Sequence, residues 1–282
     1  MEQQQVSREQ LDALAREFRY VVTDAICRSG SGHIGGVMSL VEIVITLYYR
    51  VMRVRPEDPS WPERDRLVLS KGHAGPIVYT ALAYKGFFPK AWLATVNQNG
   101  TRLPSHMDQI LTPGVEMTAG SLGQGLSAAC GMALAAKLDG KRHRVFCIIG
   151  DGESDEGQIW EAAMFAAKYQ LDNLTAILDY NGVQQTGTTA HVMPTDPIAE
   201  KWRSFGWYVI EIHAHNVRQI LEALDMATDI HARPCIIIAR GTKGKGVSFM
   251  EYNNVWHGKA PNEAEYMAAR AELERGLAEW QH

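Results

Sequence analysis

Residues 150–183 constrain the fold of this chain more than any other stretch. Apolar segments at residues 145–149 and 174–178 are predicted to be buried strands, and a helical stretch connects them. The first strand runs into Gly150-Asp151-Gly152, and the second ends in Asp179-Tyr180-Asn181-Gly182. Because ligands bind beyond the carboxyl ends of parallel strands, these two polar turns are expected to be neighbours at one site.

The residue types in these turns suit a bound cation and a diphosphate. The Asp151 carboxylate and the Asn181 carbonyl are ligands for a hard octahedral cation, and Mg²⁺ usually arrives with substrate or cofactor phosphates. The glycines allow the backbone to approach a diphosphate closely. A Gly-Asp-Gly turn alone is common, but the acidic run, the helix, the second strand and the Asn-Gly turn together make the pattern specific.

Predicted helices and strands alternate along the rest of the chain. Ser7 and Gln10 form a capping box at the start of a helix that runs to Gly30, and residues 30–36 are predicted to be a flexible loop. Further strands are predicted at residues 66–70, 207–212 and 235–239, and further helices at 39–51, 75–85, 120–138 and about 263–280. This alternation predicts an α/β fold with a doubly wound, mainly parallel sheet and helices on both faces, in one domain over residues 1–282.

Charge and composition exclude several classes of protein. The chain of 282 residues has 28 basic and 32 acidic residues and no basic tract, so nucleic-acid binding has no support. No apolar stretch reaches membrane-spanning length, and the polar N-terminus does not look like a signal peptide. The widely spaced cysteines favour buried free thiols in a reducing, cytoplasmic environment over disulfides or a metal site. They are Cys27, Cys130, Cys147 and Cys235.

Four of the ten histidines lie in glycine-flanked loops next to predicted helices or strands: His33, His73, His106 and His257. Imidazole titrates near neutral pH and can donate to phosphates or sugar hydroxyls. Convergence of these loops is expected to form a polar, basic-leaning pocket without arginine. The other six are interpreted as hydrogen-bonded bystanders: His143, His191, His213, His215, His231 and His282.

Residues 150–183 and the four histidine loops resemble the thiamine diphosphate enzymes, and transketolase most closely. The matching elements are Ser-Gly-His at His33, Gly-His at His73, Pro-Ser-His at His106 ahead of a glycine-rich turn at 120–125, and Trp-His-Gly at His257. The resemblance spans nearly the whole chain but only the first, diphosphate-binding domain of transketolase. It implies the thiamine-diphosphate-binding fold of that domain, the PP module.

The resemblance implies a role for each matching residue. His33, His106 and His257 are implied to position sugar hydroxyls and move protons, and Glu156, with Glu161, matches carboxylates that the family couples across a subunit interface. Mg²⁺, replaceable by Ca²⁺ or Mn²⁺, is implied to bind Asp151, Asn181 and the backbone carbonyl of Val183. The residues implied to contact thiamine diphosphate are His73, Gly120, Ser121, Leu122, Gly123, Gly152, Glu153, Asn181, Lys243 and His257.

Three positions depart from the family pattern. Ile34 and Ser121 stand where the family usually has proline, and Lys71 stands where it has asparagine. These residues are expected to shape loops more than to supply chemistry. Deoxyxylulose-phosphate synthase is the nearer rival family, but its Gly-His-Ser-Ser-Thr loop is absent from this sequence.

The chain is expected to be the N-terminal subunit of a split transketolase, because the pyrimidine-binding and C-terminal domains of the family have no counterpart in it. A C-terminal partner subunit is implied to supply the glutamate that activates the cofactor, in a heterotetramer. Together the two chains are expected to transfer a two-carbon ketol unit from a ketose phosphate to an aldose acceptor. Two alternatives stay open: the thiamine-diphosphate-binding subunit of a 2-oxo acid dehydrogenase, and a non-catalytic Mg²⁺- and phosphate-binding module.

Overall fold

The centre of the fold is a five-stranded sheet, seen in a computed structural model that describes residues 6–278. Its strands are β1 (Arg66–Leu69), β2 (Val145–Gly150), β3 (Leu174–Tyr180), β4 (Tyr208–His213) and β5 (Cys235–Arg240). Their order is β1-β2-β3-β5-β4, and each neighbouring pair is parallel. In the register of β2 and β3, Gly150 lies opposite Asp179, so the two polar turns of the sequence begin side by side.

Helices cover both faces of the sheet. They are α1 (Arg8–Ser29), α2 (Ile34–Met38), α3 (Val41–Thr46), α4 (Gly75–Lys85), α5 (Gln124–Leu138), α6 (Gly157–Lys168), α7 (Thr189–Val192), α8 (Ile198–Ser204), α9 (Val217–Thr228) and α10 (Glu263–Ala278). The larger core packs α1 to α4, α9 and α10 on one face, and the smaller core packs α5, α6 and α8 on the other. The predicted doubly wound α/β architecture is confirmed.

The position of strand β2 between two hydrophobic cores explains why its sequence is a continuous apolar run. Phe146 and Ile148 belong to the larger core, whereas Val145, Cys147 and Ile149 belong to the smaller one. Side chains alternate between the two faces of a strand, and here both faces are covered by helices. Neither face of β2 is therefore polar.

Several element boundaries differ from the predictions. The capping box of Ser7 and Gln10 is present, and Gly30 ends α1 in the left-handed conformation with φ of 68°. Residues 34–36, expected in a flexible loop, instead begin α2, whose five residues are all buried. The helix predicted at 39–51 begins at Val41 and becomes a π-helix at Leu47–Val51. The predicted end of the last helix, residues 279–280, lies outside the described residues.

The predictions of free thiols and of no membrane-spanning segment can be compared with the cysteines and helices of the structure. Cys130, Cys147 and Cys235 are buried, Cys27 is half-buried, and all four are free thiols. Burial raises the pKa of Cys130 to about 12, so this thiol stays protonated. Within residues 6–278 there is no helix with the length and apolar character that crossing a membrane requires.

Candidate functional site

A cavity of about 180 Å³ opens at the carboxyl ends of β2 and β3. Asp151 and Gly152 line it from the turn after β2, and Asn181 and Val183 line it from the turn after β3. The remaining lining residues are Gly36, Lys71, His73, Leu122, Gly150, Glu153, Gln184, Gln185, Lys243 and His257. The two turns that the sequence placed at one edge of the sheet thus share a single cavity.

Asp151 is a buried carboxylate fixed by backbone donors. Its Oδ1 accepts the Gly152 N–H at 2.8 Å, and its Oδ2 accepts the Gly182 N–H at 2.6 Å. Burial and the neighbouring charge of Asp179 raise the pKa of Asp151 to about 6, against the effect of these donors. A cation at this carboxylate would therefore relieve an unfavourable burial of negative charge.

Asp179, at the end of β3, forms a buried ion pair next to the cavity. Its Oδ2 accepts from Lys71 Nζ at 2.5 Å, from Ser39 Oγ at 2.6 Å and from Asn181 Nδ2 at 3.1 Å. Its Oδ1 has no hydrogen-bond partner among the described residues. Lys71, expected to shape a loop more than to supply chemistry, brings a buried positive charge to the wall of the cavity.

Lys243 reaches the cavity from the loop after β5 and is 2% exposed. Its Nζ donates to the backbone carbonyl of Val183 at 2.7 Å and to His257 Nδ1 at 2.8 Å. Burial and the charge of Lys71 lower the pKa of Lys243 to about 8. Because Nδ1 of His257 accepts this bond, the neutral ring carries its proton on Nε2.

The four histidine loops converge beside this cavity. The ring centroid of His33 lies 4.9 Å from that of His73, 5.7 Å from that of His106 and 5.5 Å from that of His257. The rings of His73 and His257 are 5.3 Å apart. His73 and His257 line the cavity, and the exposed His106 lies next to Gly120, outside the cavity lining.

The imidazoles themselves do not make the site basic. Burial lowers the pKa of His33, and burial with nearby cations lowers those of His73 and His257 to about 2 and about 3. These three rings are therefore neutral near pH 7. The expected basic-leaning pocket does obtain positive charge, but from Lys71 and Lys243 rather than from histidine.

The chain also matches a known protein family. Residues 11–278 match the family model described as "Transketolase, thiamine diphosphate binding domain". The chain belongs to this family. The resemblance to transketolase and the thiamine-diphosphate-binding fold predicted from the sequence are thereby confirmed.

The chain matches two kinds of transketolase: separate subunits that it covers almost completely, and longer proteins of which it covers less than half. The 6-deoxy-6-sulfo-D-fructose transketolase subunit SqwG of Clostridium sp. (strain MSTE9) is 48% identical over 98% of this chain and 99% of the relative. An apulose-4-phosphate transketolase subunit of Actinobacillus succinogenes is 40% identical over 95% of this chain and 97% of the relative. The solved transketolase of Leishmania mexicana has a TM-score of 0.86 and 27% identity, and the match covers 96% of this chain but 45% of that protein.

Glu153 is hydrogen-bonded to the glycine-rich turn at residues 120–125 of this transketolase-type domain. Its Oε1 accepts the Gly123 N–H at 2.8 Å and the Ser70 hydroxyl, and its Oε2 accepts the Gly150 N–H at 2.9 Å. A Cβ at Gly125 would lie 2.4 Å from Ser70 Cβ, so glycine is needed for α5 to approach β1. Although Glu153 lines the cavity, both its oxygens are bonded to the protein, and it ties three loops together.

The predicted site residues fall into two groups. Those that line the cavity are His73, Leu122, Asp151, Gly152, Glu153, Asn181, Val183, Lys243 and His257. Those that lie outside its lining are His33, His106, Gly120, Ser121, Gly123 and Glu156. Glu156 is exposed and sits against the Gly123 turn, where a Cβ on the glycine would come within 2.9 Å of Glu156 Cβ.

Sequence reasoning missed several residues of the site. Ser39 and Asp179 were not singled out, nor were Gly36, Gln184 and Gln185 among the lining residues. For Asp179 a signal was present, since a carboxylate within a buried strand needs a cationic or hydrogen-bonding partner. The sequence does not reveal which lysine is that partner.

Proposed function

We propose that this protein is the N-terminal subunit of a split transketolase. With a partner subunit it transfers a two-carbon ketol unit from a ketose phosphate to an aldose acceptor, using thiamine diphosphate and Mg²⁺. The observation that carries the proposal is the clustering of four imidazoles, two of which line the cavity that also contains Asp151 and Asn181. A binding module that does no chemistry has no use for such a set of proton-transfer groups.

Mg²⁺ would be held by the Asp151 carboxylate, the Asn181 amide oxygen and the Val183 carbonyl. All three are hard oxygen donors, which Mg²⁺ prefers and which Ca²⁺ or Mn²⁺ also accept. Within residues 6–278 there is no group of three His, Cys, Asp or Glu side chains arranged for a metal. This donor set fits a cation that completes its coordination with diphosphate oxygens and water.

The diphosphate would lie among lysines and glycines at the floor of the cavity. A Cβ at Gly36 would lie 3.6 Å from His73 Nε2 and 3.7 Å from Lys71 Nζ, so glycine keeps the space between these groups open. Backbone groups of residues 120–123, Gly152 and the Lys243 ammonium complete the proposed contacts. Thiamine diphosphate supplies, when bound, the carbon nucleophile for making and breaking a carbon–carbon bond next to a carbonyl.

The histidines would act on the sugar rather than on the diphosphate. A neutral imidazole donates from one nitrogen and accepts at the other, so it can hold a hydroxyl and move its proton. In His257 the Nε2–H is available for donation because Nδ1 is bonded to Lys243. His33 Nδ1 is buried and lacks a hydrogen-bond partner within the part of the chain described.

A partner chain follows from the relatives named as subunits, which this chain covers almost completely. We propose that residues 1–282 form one diphosphate-binding domain in the cytoplasm. A C-terminal subunit with the pyrimidine-binding domain would supply the activating glutamate in a heterotetramer. The exposed carboxylates of Glu156 and Glu161 on the motif segment suit a contact between subunits.

The test is reconstitution of the purified chain with its partner subunit. Ketol transfer is expected only when both chains, thiamine diphosphate and Mg²⁺ are present, with a ketose phosphate or its sulfonated analogue as donor. His106→Ala should lower the rate, and His231→Ala, on an exposed loop, should not. Turnover by the isolated chain would contradict the split enzyme, and a preference for a 2-oxo acid donor would favour the dehydrogenase subunit.

A further inference from the structure

A buried polar network lies beneath the loop that carries Lys243. Glu42 of α3 is its centre, because its two carboxylate oxygens accept from Arg19 Nη2 at 2.7 and 2.8 Å. Glu42 Oε2 also lies 3.0 Å from His215 Nδ1. The side chains of Arg19, Glu42 and His215 are 9%, 8% and 6% exposed, and all three lie outside the lining of the cavity.

This network holds the backbone on both sides of Lys243. The Thr242 N–H donates to His215 Nε2 at 2.9 Å, and Arg19 Nε donates to the Lys245 carbonyl at 3.0 Å. His215, interpreted from the sequence as a hydrogen-bonded bystander, contacts this loop directly. Both of its ring nitrogens are bonded, one to α3 and one to the lysine loop.

Two glycines of the loop allow these close approaches. A Cβ at Gly241 would lie 3.2 Å from His215 Nε2, and one at Gly246 would lie 2.8 Å from Arg19 Cδ. Gly246 also has a φ of 100°, a conformation that other residues rarely adopt. The loop sequence is thus matched to the network beneath it.

The hydrogen bonds fix the tautomer of His215. Because the Thr242 N–H donates to Nε2, this nitrogen carries no proton, and the proton of the neutral ring is on Nδ1. Nδ1–H then donates to the Glu42 carboxylate. The bond to Thr242 thus depends on an acceptor at the Nε2 position of the ring.

We propose that Glu42 and His215 are positioning residues that fix the Lys243 ammonium where it meets the cofactor diphosphate. The inference rests on the proposed function, since it takes thiamine diphosphate as the ligand of Lys243. Binding a ligand fixes both the backbone and the side chain of a lysine. Holding the backbone on both sides of Lys243 beforehand reduces the backbone conformational entropy that is lost when its ammonium binds. Its stem is confined as well, because a Cβ at Gly35 would lie 3.1 Å from Lys243 Cγ.

The first test compares His215→Asn with His215→Gln in the full chain. The asparagine amide reaches only the position of Nδ1 and contacts Glu42, whereas the glutamine amide reaches that of Nε2 and can accept the Thr242 N–H. Amide exchange of residues 241–246 without cofactor is expected to become about 10-fold faster in His215→Asn, and to stay within about 2-fold in His215→Gln. Equal exchange in the two variants would overturn the proposal.

The second test measures thiamine diphosphate affinity, in Mg²⁺, for the chain with its partner. His215→Asn is expected to raise Kd about 10-fold in the native background, but by less than about 2-fold in a Lys243→Met background, because it acts through that lysine. His231→Ala, which changes an exposed side chain, should leave Kd unchanged. If His215→Asn does not fold, Glu42→Gln takes its place in the cycle.

The two possible failures are distinguishable. Equal effects of His215→Asn in both backgrounds would overturn the positioning role but leave Lys243 as a cofactor residue. An unchanged Kd in Lys243→Met alone would remove this lysine from the site and overturn the proposed diphosphate contact as well.

Discussion

Buried carboxylates have different hydrogen-bond partners at the two ends of the parallel sheet. At the amino end, Glu116 accepts from Arg64 at 2.7 and 2.8 Å and from Arg66 at 2.9 Å, so arginines satisfy both of its oxygens. At the carboxyl end, Asp151 is bonded to backbone N–H groups, and Asp179 keeps one oxygen without a partner among the described residues. Within the described residues, both oxygens of Glu116 are therefore paired, whereas one oxygen of Asp179 is not.

This difference separates groups that hold the fold from groups that meet a ligand. A carboxylate fully paired with arginine contributes to one stable arrangement, and losing one member leaves the others buried and uncompensated. A carboxylate with an oxygen that the protein leaves without a partner gains most from an added cation. Substitutions at the two ends should therefore affect different measurements.

The largest expected effect is on stability, at the amino end. Glu116→Gln removes the charge shared by two largely buried arginines and should lower the free energy of unfolding by about 3 kcal/mol. Urea unfolding of the full chain measures this. Glu63→Gln is the matched control, because its pair with Lys141 at the same end is well exposed and should contribute little to stability. Similar losses in both variants would remove the contrast.

A smaller effect, on binding alone, is expected at the carboxyl end. Asp151→Asn should weaken thiamine diphosphate binding in Mg²⁺ about 100-fold, which is about 2.8 kcal/mol. The free energy of unfolding without cofactor should change by less than about 1 kcal/mol, because losing a buried charge offsets the lost N–H acceptor. Calorimetry and urea unfolding measure the two quantities. A stability loss as large as that of Glu116→Gln would show that Asp151 holds the fold.

The smallest effect concerns Glu42, a paired carboxylate that supports the carboxyl end from beneath. Burial alone would raise its pKa, but the Arg19 charge and the His215 hydrogen bond outweigh burial and lower the pKa from 4.5 to about 2. A lowered pKa contributes stability above the unfolded value, and this contribution is lost as pH falls from about 4.5 towards about 2.

Unfolding at pH about 6 and about 3 should therefore show about 2 kcal/mol more acid destabilisation in the native chain than in Glu42→Gln. Glu63→Gln again serves as the comparison, and its acid destabilisation should match that of the native chain. Parallel pH curves for the native chain and Glu42→Gln would mean that Glu42 is not held as an ionised partner.

Local patterns predicted most of the fold. Short stretches of sequence determine the capping box at Ser7, the continuous apolar strands and the turns carrying Asp151 and Asn181. The structure places all of these features as expected. Residues 34–36 were wrongly expected in a loop because Gly35 and Gly36 have low helix propensity. Burial of all five α2 residues overrides that preference.

Long-range pairing was the part that the sequence could not provide. Lys71 and Asp179 are 108 residues apart, and Glu42 and His215 are 173 apart. Any of several acidic and basic residues could have paired at those distances. Only the packing of α3, β3 and the loops after β1 and β4 selects the partners, so one charged network near the cavity and one beneath it were not foreseen.

The strand order has a consequence for how the chain matures. Strand β4 is made before β5, yet β5 lies between β3 and β4 and is the neighbour of both. Strand β4 can therefore complete its backbone pairing only after β5 has been synthesised, and until then its amides hydrogen-bond to water. The loop that carries Lys243 follows β5 and is therefore synthesised after both strands.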